Sequence, residues 1–274
     1  MRMLVRLRTV GAAVVATAVL GTVGCGSDTE SSPSAPATTA ANAAAKPAIV
    51  LVHGSFSNSS SWDAVATQLR GQGYQVVQPD NPLRGPAADA AAVTKAIEGI
   101  TGPVVLVGHS YGGAVISNIH RANVKAEVFV AAFAPEQGES VQALSDPARY
   151  PGSKIETALR IQPTETGAEV TMAPEQFGAV FAQDVSADVA SRLAAAQRPT
   201  SAAANAEPSG APSWAGVPCW YVISTEDQTF PPAAQRFQAD RMHARTTEVK
   251  SSHASPVSHP NEVAAAITAA ANGS

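Results

Sequence analysis

The sequence predicts an α/β protein with a mostly parallel, six-stranded sheet, helices on both faces of the sheet and a helical lid insertion. Two observations predict this class. Short runs rich in Val and Ile alternate with helical patterns along residues 47–274, which is typical of a parallel sheet whose connections cross its faces. The composition, with 45% hydrophobic and 15% charged residues, is that of a globular protein and excludes a disordered chain.

The individual elements follow from the same pattern. Strands are expected at residues 48–52, 75–78, 104–107, 127–131, 220–224 and 247–250, and helices at 61–70, 87–100, 111–121, 232–242 and 260–271. Residues 135–218 interrupt this alternation, because they contain no convincing strand and show helical patterns only near 175–183 and 188–197. This interval is therefore predicted to be a helical lid over one end of the sheet, and residues 47–274 are expected to form one domain.

Residues 1–24 have the pattern of a signal peptide. Arginines at positions 2, 6 and 8 precede an apolar run over residues 10–23, which is shorter than the roughly 20 residues that a transmembrane helix needs. The run ends in Leu-Gly-Thr-Val-Gly before Cys25. This ending resembles the lipobox at which bacterial lipoproteins are cleaved and lipidated on cysteine, with Thr22 where Leu is usual. An ordinary secretory signal with an incidental cysteine is the alternative.

Residues 25–46 are predicted to be a disordered linker that follows a lipidated Cys25. The segment consists mainly of Ser, Thr, Pro, Ala and Asn and has too little apolar surface to fold. With Cys25 lipidated, Cys219 has no partner for an intramolecular disulfide, and it is expected to be a packed, inert thiol. Together these features predict export and anchoring at the outer face of the bacterial cytoplasmic membrane, or secretion where Cys25 is not lipidated.

The distribution of charge limits the possible partners. The formal net charge is −4, and the first 24 residues carry three arginines and no acid, so the remainder of the chain is more acidic still. Nucleic acid and anionic membrane surfaces are therefore poor partners for the folded part. We expect contact with a membrane only through the N-terminal anchor.

A strand-to-turn-to-helix motif identifies a candidate nucleophile. The run Val-Val-Leu-Val at 104–107 is followed by Gly-His-Ser-Tyr-Gly-Gly at 108–113, which contains the Gly-X-Ser-X-Gly pattern of a nucleophile elbow. The tight turn needs Gly108 and Gly112, because side chains there would collide with the neighbouring strand and helix. Ser110 is thereby expected at the carboxyl end of its strand, where open parallel sheets bind their ligands.

A serine nucleophile needs a base, and the base needs an acid that orients it. Carboxylates follow the predicted strand at 220–224, and His253 follows the strand at 247–250 directly. Asp227 and Glu226 compete as the acid, and alternation along the strand end favours Asp227. His259 competes with His253, but it precedes Pro260 and so fits the first turn of the last helix.

The chain resembles a compact α/β-hydrolase, closest to the branch that contains small esterases and the plant hydroxynitrile lyases. Three motifs carry this resemblance: Leu-Val-His-Gly-Ser-Phe at 51–56, Gly-His-Ser-Tyr-Gly-Gly at 108–113, and the pair formed by Thr-Glu-Asp at 225–227 and Ser-His-Ala at 252–254. The order Ser, Asp, His along the chain is that of the α/β-hydrolases. The resemblance covers essentially the whole of residues 47–274.

The resemblance implies the α/β-hydrolase fold and a role for each site residue. Asp227 is expected to be the triad acid beside His253 and Ser110. The backbone N–H groups of Tyr111, directly after the nucleophile, and of Ser55 are expected to form the oxyanion hole.

Other aromatic and histidine residues near these motifs are weaker candidates. Phe56 and Trp62, and with them the side chain of Tyr111, are expected to line a substrate pocket, with ordinary packing as the alternative. His53 and His109 flank the motifs, and structural roles are expected for both.

The expected reaction is hydrolysis of small to medium carboxylic esters through an acyl-enzyme on Ser110, with no metal and no organic cofactor. A cofactor-free perhydrolase or a lyase on the same fold is an alternative. Ala254 and Gly54 stand where the plant lyases carry Lys and Thr, which disfavours lyase activity. A non-catalytic binding or signalling protein with this fold is the alternative of a different class.

Overall fold

The computed structural model describes residues 46–274. The signal peptide, Cys25 and all but the last residue of the linker lie outside the described residues, and their assignments stay predictions. Within residues 46–274, no helix is both long enough and apolar enough to cross a membrane.

A six-stranded sheet forms the centre of the molecule, and its order is β2-β1-β3-β4-β8-β9. Every pairing in this sheet is parallel, so the predicted fold class is confirmed. Three of the strands, the first, third and eighth of the chain, are buried along their whole length, as expected for parallel strands covered on both faces. The strands are β1 (Ala48–Val52), β2 (Val76–Val77), β3 (Val104–His109), β4 (Val124–Val130), β8 (Cys219–Ser224) and β9 (Arg245–Val249).

Helices cover both faces of the sheet. Alternate residues of each strand point to opposite faces, so each strand packs against helices on both sides. Ile49 and Leu51 of β1 pack with one pair of helices, α1 (Asp63–Gly71) and α11 (Pro260–Asn272). Val50 and Val52 lie on the other face of the sheet, which is covered by α2 (Pro86–Ala96), α3 (Tyr111–Ile116) and α9 (Pro232–Arg241). A short 3-10 helix, Ser59–Trp62, precedes α1, and the four-residue α10 (Ser255–Ser258) precedes α11.

The insertion between β4 and β8 is not purely helical, so the prediction of a strand-free lid is wrong. Its two main helices lie where they were expected, but a three-stranded antiparallel sheet accompanies them. The first of these strands, Leu-Arg-Ile-Gln-Pro-Thr, is largely exposed and contains Pro163, so it lacks the buried, alternating pattern that marks a strand in a sequence. The elements are α4 (Val141–Leu144), α5 (Ile155–Ala158), β5 (Leu159–Thr164), β6 (Gly167–Met172), α6 (Pro174–Val180), α7 (Ala187–Ala196), β7 (Thr200–Ser201), α8 (Ala202–Ala206) and a second 3-10 helix, Ser213–Gly216.

One acid is buried in the middle of the sheet. Glu127 of β4 lies opposite Cys219 in the register of the two strands. One of its carboxyl oxygens accepts a hydrogen bond of 2.7 Å from the Ser213 hydroxyl, and the other has no hydrogen-bond partner among residues 46–274. Burial raises the pKa of Glu127 to about 8 and, with the neighbouring carboxyl, the pKa of the Cys219 thiol to about 12. The expectation of an inert Cys219 agrees with this environment.

This environment predicts a pH-dependent loss of stability. An unfolded glutamate titrates at about 4.3, so between that pH and about 8 the folded state holds the Glu127 proton more tightly than the unfolded state does. The stabilising contribution is complete below the lower value and is lost progressively as the pH rises from the lower value to the higher one. The stability of Glu127→Gln relative to the parent should therefore increase steadily from about pH 4 to about pH 8, as measured by urea unfolding. Glu165→Gln, at an exposed position, is the control, and an unchanged pH slope in Glu127→Gln would contradict the prediction.

Candidate active site

Ser110 occupies a strained turn between β3 and α3. Its φ of +53° lies in the left-handed region, which a residue with a side chain adopts only where the surrounding structure enforces it. Two glycines enforce it by close approach of the backbone. A Cβ at Gly108 would lie 2.6 Å from the carbonyl oxygen of Gly112, and one at Gly112 would lie 2.4 Å from that of Val52. No other residue type fits either position, so the turn has the geometry expected of a nucleophile elbow.

The loop after β1 lies directly against this turn. A Cβ at Gly54 would be 2.7 Å from the Cβ of Ser110, so the backbone of Gly54 passes beside the serine side chain. Among the described residues, the N–H groups of Ser55 and Tyr111 donate no hydrogen bond. Two unused backbone donors on either side of Ser110 are what an oxyanion hole requires.

The Tyr111 side chain does not line a pocket, contrary to the sequence-based expectation. It is buried, and its hydroxyl donates a hydrogen bond of 2.8 Å to Asp89. Burial and the Asp89 carboxylate raise the pKa of Tyr111 far above its ordinary value. The side chain therefore joins α3 to α2, while the backbone N–H of Tyr111 stays free.

His253 and Asp227 form a buried pair. The His253 Nδ1 lies 2.5 Å from an Asp227 carboxylate oxygen, and both side chains are fully inaccessible to solvent. The other Asp227 oxygen accepts hydrogen bonds from the backbone N–H groups of Thr229 (2.7 Å) and Phe230 (2.8 Å). These hydrogen bonds fix the Asp227 carboxylate in place, and its contact with Nδ1 holds the imidazole in one orientation.

Gln235 completes the surroundings of Asp227, and sequence reasoning missed it. Its Nε2 donates to the Asp227 oxygen that contacts His253 (2.8 Å) and to the carbonyl oxygen of Phe230 (2.7 Å). Its Oε1 accepts from the N–H of Ser224 (2.8 Å). The only signal in the sequence is a glutamine on the buried side of α9, and such a residue must find hydrogen-bond partners.

The competing residues lie elsewhere. Glu226 is half exposed and pairs with Lys250 at 3.5 Å, so its carboxylate turns away from His253. His259 lies 3.5 Å from Asp184 and 2.9 Å from the Ser258 hydroxyl. Neither competitor contacts the pair described above.

The outer nitrogen of His253, Nε2, is buried and has no hydrogen-bond partner among residues 46–274. The hydrogen bonds of this part of the chain include none from the Ser110 hydroxyl to that nitrogen. Hydrogen bonds between a nucleophile and its base are often long before a substrate binds. The Nε2 lone pair is thus left without a competing donor.

A small cavity of about 20 Å³ lies beside these residues. It is lined by Phe56, His109 and Ala254, which are the chain neighbours of Ser55, Ser110 and His253, and by Phe177 and Phe181 of the insertion. Phe56 therefore lines this cavity, and its contact with a substrate stays a prediction. Trp62 does not, because it is fully buried in the core and packs edge-on against His109 with ring centroids 6.2 Å apart.

His53 has a structural position, as expected. It is fully buried, its Nδ1 donates to the carbonyl oxygen of Gly54 (2.9 Å), and its Nε2 accepts from the N–H of Asn81 (3.3 Å). Burial lowers its pKa. The neutral ring thus fixes the loop that carries Gly54 and Ser55.

One segment of the insertion, residues 180–184, is bonded to both loops that carry the buried pair. It receives hydrogen bonds from the loop of Asp227 and from the loop of His253, and it donates one to the former. The bonds are Thr229 Oγ1 to the Val180 carbonyl (2.9 Å), Gln183 Nε2 to the Glu226 carbonyl (2.6 Å), the Ala254 N–H to the Phe181 carbonyl (3.1 Å) and the Ser252 N–H to the Asp184 carboxylate (2.8 Å). The insertion therefore helps to set the position of both loops.

The fold and the turn at Ser110 define a hydrolase-type α/β protein, and comparison with known proteins agrees with this class. A sequence model of the alpha/beta hydrolase family matches residues 49–266. The chain belongs to this family.

Known relatives and solved structures point to esterases. The carbendazim hydrolyzing esterase of Nocardioides sp. is 32% identical over 110 residues, which cover 35% of this chain and 46% of that protein. The match thus spans about half the length of this curated relative. The pyrethroid hydrolase of Sphingobium faniae JZ-2 has a TM-score of 0.70 at 22% identity, covering 82% of this chain and 97% of that one. Polyneuridine aldehyde esterase has a TM-score of 0.71 at 20% identity, covering 82% and 98%. The two solved structures share the fold of this chain, and the names of all three proteins describe esterases or hydrolases.

Because Asp227 and Glu226 have different contacts, replacing each carboxylate by the corresponding amide should change kcat by different amounts. Asp227→Asn should lower the kcat for p-nitrophenyl acetate by about 10⁴-fold, because an amide cannot hold the imidazole in the same tautomer. Glu226→Gln removes a carboxylate of the same loop that faces Lys250 and should change kcat less than about threefold. Steady-state kinetics of both variants measure the difference, and equal losses would contradict the assignment.

Proposed function

We propose that this protein is a serine esterase in which Ser110 is the nucleophile, His253 the general base and Asp227 the acid that orients it. One observation supports this above all. The strained turn of Ser110 follows β3, and the pair of His253 and Asp227 comes from the loops after β8 and β9. In a parallel sheet these strand ends share one edge.

The proposed reaction forms and hydrolyses an acyl-enzyme. The Ser110 Oγ attacks the ester carbonyl carbon as its proton passes to His253 Nε2. The tetrahedral intermediate collapses, the C–O bond to the alcohol breaks, and the alcohol leaves with the proton from His253. Water then attacks the acyl carbon, His253 takes its proton, and the carboxylic acid is released as Ser110 is protonated again.

Negative charge that develops on the carbonyl oxygen needs donors that are already in place. The N–H groups of Ser55 and Tyr111 have no other acceptor in the described part of the chain. The N–H of Tyr111 also opens α3, whose amino end carries a partial positive charge. Loss of one such donor typically raises the barrier by about 3 kcal/mol.

The proposed substrates are carboxylic esters with small to medium acyl groups. The cavity lined by His109 and Ala254, the chain neighbours of Ser110 and His253, is small, about 20 Å³, and Phe56, Phe177 and Phe181 line it together with polar residues of the segment 57–61. Each methylene that enters such a pocket contributes about 0.8 kcal/mol only until the space is full. The partner is therefore a small-molecule ester.

The proposed location is the outer face of the cytoplasmic membrane, through a lipid on Cys25. This rests on the basic start, the short apolar run and the cysteine that follows it, and on the rule that stable anchoring takes two lipid chains. Cys25→Ala should abolish lipidation and shift the protein out of the membrane fraction. Mass spectrometry of the mature N-terminus is the measurement, and an unmodified terminus beyond Cys25 in the parent would contradict the anchor.

Replacement of the nucleophile tests the proposed function directly. Ser110→Ala should lower ester turnover by at least ~10³-fold, because no other group forms the acyl-enzyme. The same variant should not react with a fluorophosphonate probe, which labels an activated serine in the parent. His253→Ala should match it, and His259→Ala is the control that should keep most activity. Near-parental turnover by Ser110→Ala, or a parent that the probe does not label, would overturn the proposal.

A series of p-nitrophenyl esters from acetate to palmitate tests the proposed substrate size. The kcat/KM should rise over the shortest acyl chains and fall once the chain exceeds the cavity, since further methylenes displace the lining phenylalanines. A steady rise to palmitate would indicate an open groove instead.

A further inference from the structure

His109, the residue before Ser110, is buried between three parts of the molecule. Its ring meets Trp62 of the core and Phe181 of the insertion edge-on, each at a centroid distance of 6.2 Å. On a third side it lies 4.8 Å from the ring of His253. The residue thus connects the nucleophile turn, the insertion and the proposed base.

A single polar contact links His109 to the proposed base. Its Nε2 lies 2.8 Å from the main-chain carbonyl oxygen of His253. A carbonyl oxygen only accepts hydrogen bonds, so the proton of His109 must be on Nε2. In the neutral ring Nδ1 is then a lone-pair acceptor, and this atom is buried without a hydrogen-bond partner in the described residues.

The surroundings of His109 keep the ring neutral. A second proton on Nδ1 would leave a charged N–H buried without an acceptor, which is unfavourable. Burial and the adjacent His253 and His53 hold the pKa of His109 well below its usual range. A neutral ring at this position does not repel the positive charge that forms on His253 when it takes the proton from the nucleophile.

We propose that His109 is a positioning residue: its Nε2–H holds the main chain of His253 and thereby aims the base at Ser110. The kinetic effect of this hydrogen bond rests on the proposed function, whereas the hydrogen bond itself is independent of it. The N–H groups of Ser252 and Ala254, the chain neighbours of His253, donate to the Asp184 carboxylate and to the Phe181 carbonyl. His109 therefore supplies the restraint from the β3 side of the loop.

Two substitutions separate the hydrogen bond from the packing. His109→Leu keeps an apolar side chain but removes the donor, and His109→Gln places an amide donor near the former Nε2. For p-nitrophenyl acetate, His109→Leu should lower kcat by about 10²-fold with KM changed less than about threefold, because a small misplacement of a catalytic group has this effect. His109→Gln should restore kcat to within about tenfold of the parent. Equal losses in both variants, or near-parental kcat in His109→Leu, would overturn the proposal.

A measurement without turnover tests the contact in the parent protein. Long-range ¹H–¹⁵N spectra of the histidine side chains, assigned by single substitutions, should show His109 as the Nε2–H tautomer and unchanged from pH 6 to 8. The His253 signals should shift in His109→Leu and less in His109→Gln. A His109 that carries its proton on Nδ1, or that gains a second proton in this range, would overturn the proposal. The spectra test the hydrogen bond even in a parent protein without esterase activity. Such a lack of activity would refute only the proposed function.

Discussion

The close approach of two backbone segments at the carboxyl ends of β1 and β3 is the constraint on which the site depends. The backbone of Gly112 passes so near the carbonyl of Val52 that a single Cβ there would overlap it. Since the turn cannot move away, Ser110 is held at a positive φ. The same packing brings Gly54 against the serine side chain. Two loops that are distant in sequence therefore meet beside Ser110, and each contains a backbone N–H group that donates no hydrogen bond within residues 46–274, that of Ser55 and that of Tyr111.

The Asp227 carboxylate is buried, and its hydrogen-bond partners lie within the protein. The Asp227 carboxylate accepts from two backbone N–H groups, from Gln235 and from His253. The three buried histidines differ in what their nitrogens meet. His53 and His109 bond to main-chain carbonyls through one nitrogen, whereas His253 meets a carboxylate. The Nδ1 of His253 lies 2.5 Å from the Asp227 carboxylate, whereas the Asp80 carboxylate is 3.8 Å from the Nε2 of His53.

The parts of this arrangement that follow from local sequence were predictable. A Gly-X-Ser-X-Gly turn after an apolar strand specifies its own geometry, and the strand ends place Asp227 and His253 at one edge of the sheet. Glu226 and Asp227 could be ranked because adjacent residues of an extended segment face opposite ways. The strands β1, β3 and β8 are buried along their whole length, so they leave apolar runs that a sequence shows, whereas β9 at the edge is exposed at four of its five residues.

The parts that depend on long-range contacts were not predictable from the sequence. Nothing in the sequence around Gln235 indicates that its amide meets a carboxylate eight residues away. The strand β5 forms from exposed residues that have no apolar periodicity, and its pairing with β6 supplies the hydrogen bonds. Trp62 was expected in a pocket because it is aromatic, but its position depends on how α1 and the 3-10 helix before it pack against the sheet.

The four hydrogen bonds between residues 180–184 and the loops of Asp227 and His253 have a consequence for how such proteins diversify. An insertion that only covered a pocket could be exchanged between relatives to alter substrate choice while the reacting groups stayed in place. Here a foreign insertion would also remove the Phe181 carbonyl and the Asp184 carboxylate that hold the histidine loop. A grafted insertion therefore has to bring an equivalent of this short segment with it if both loops are to keep their positions.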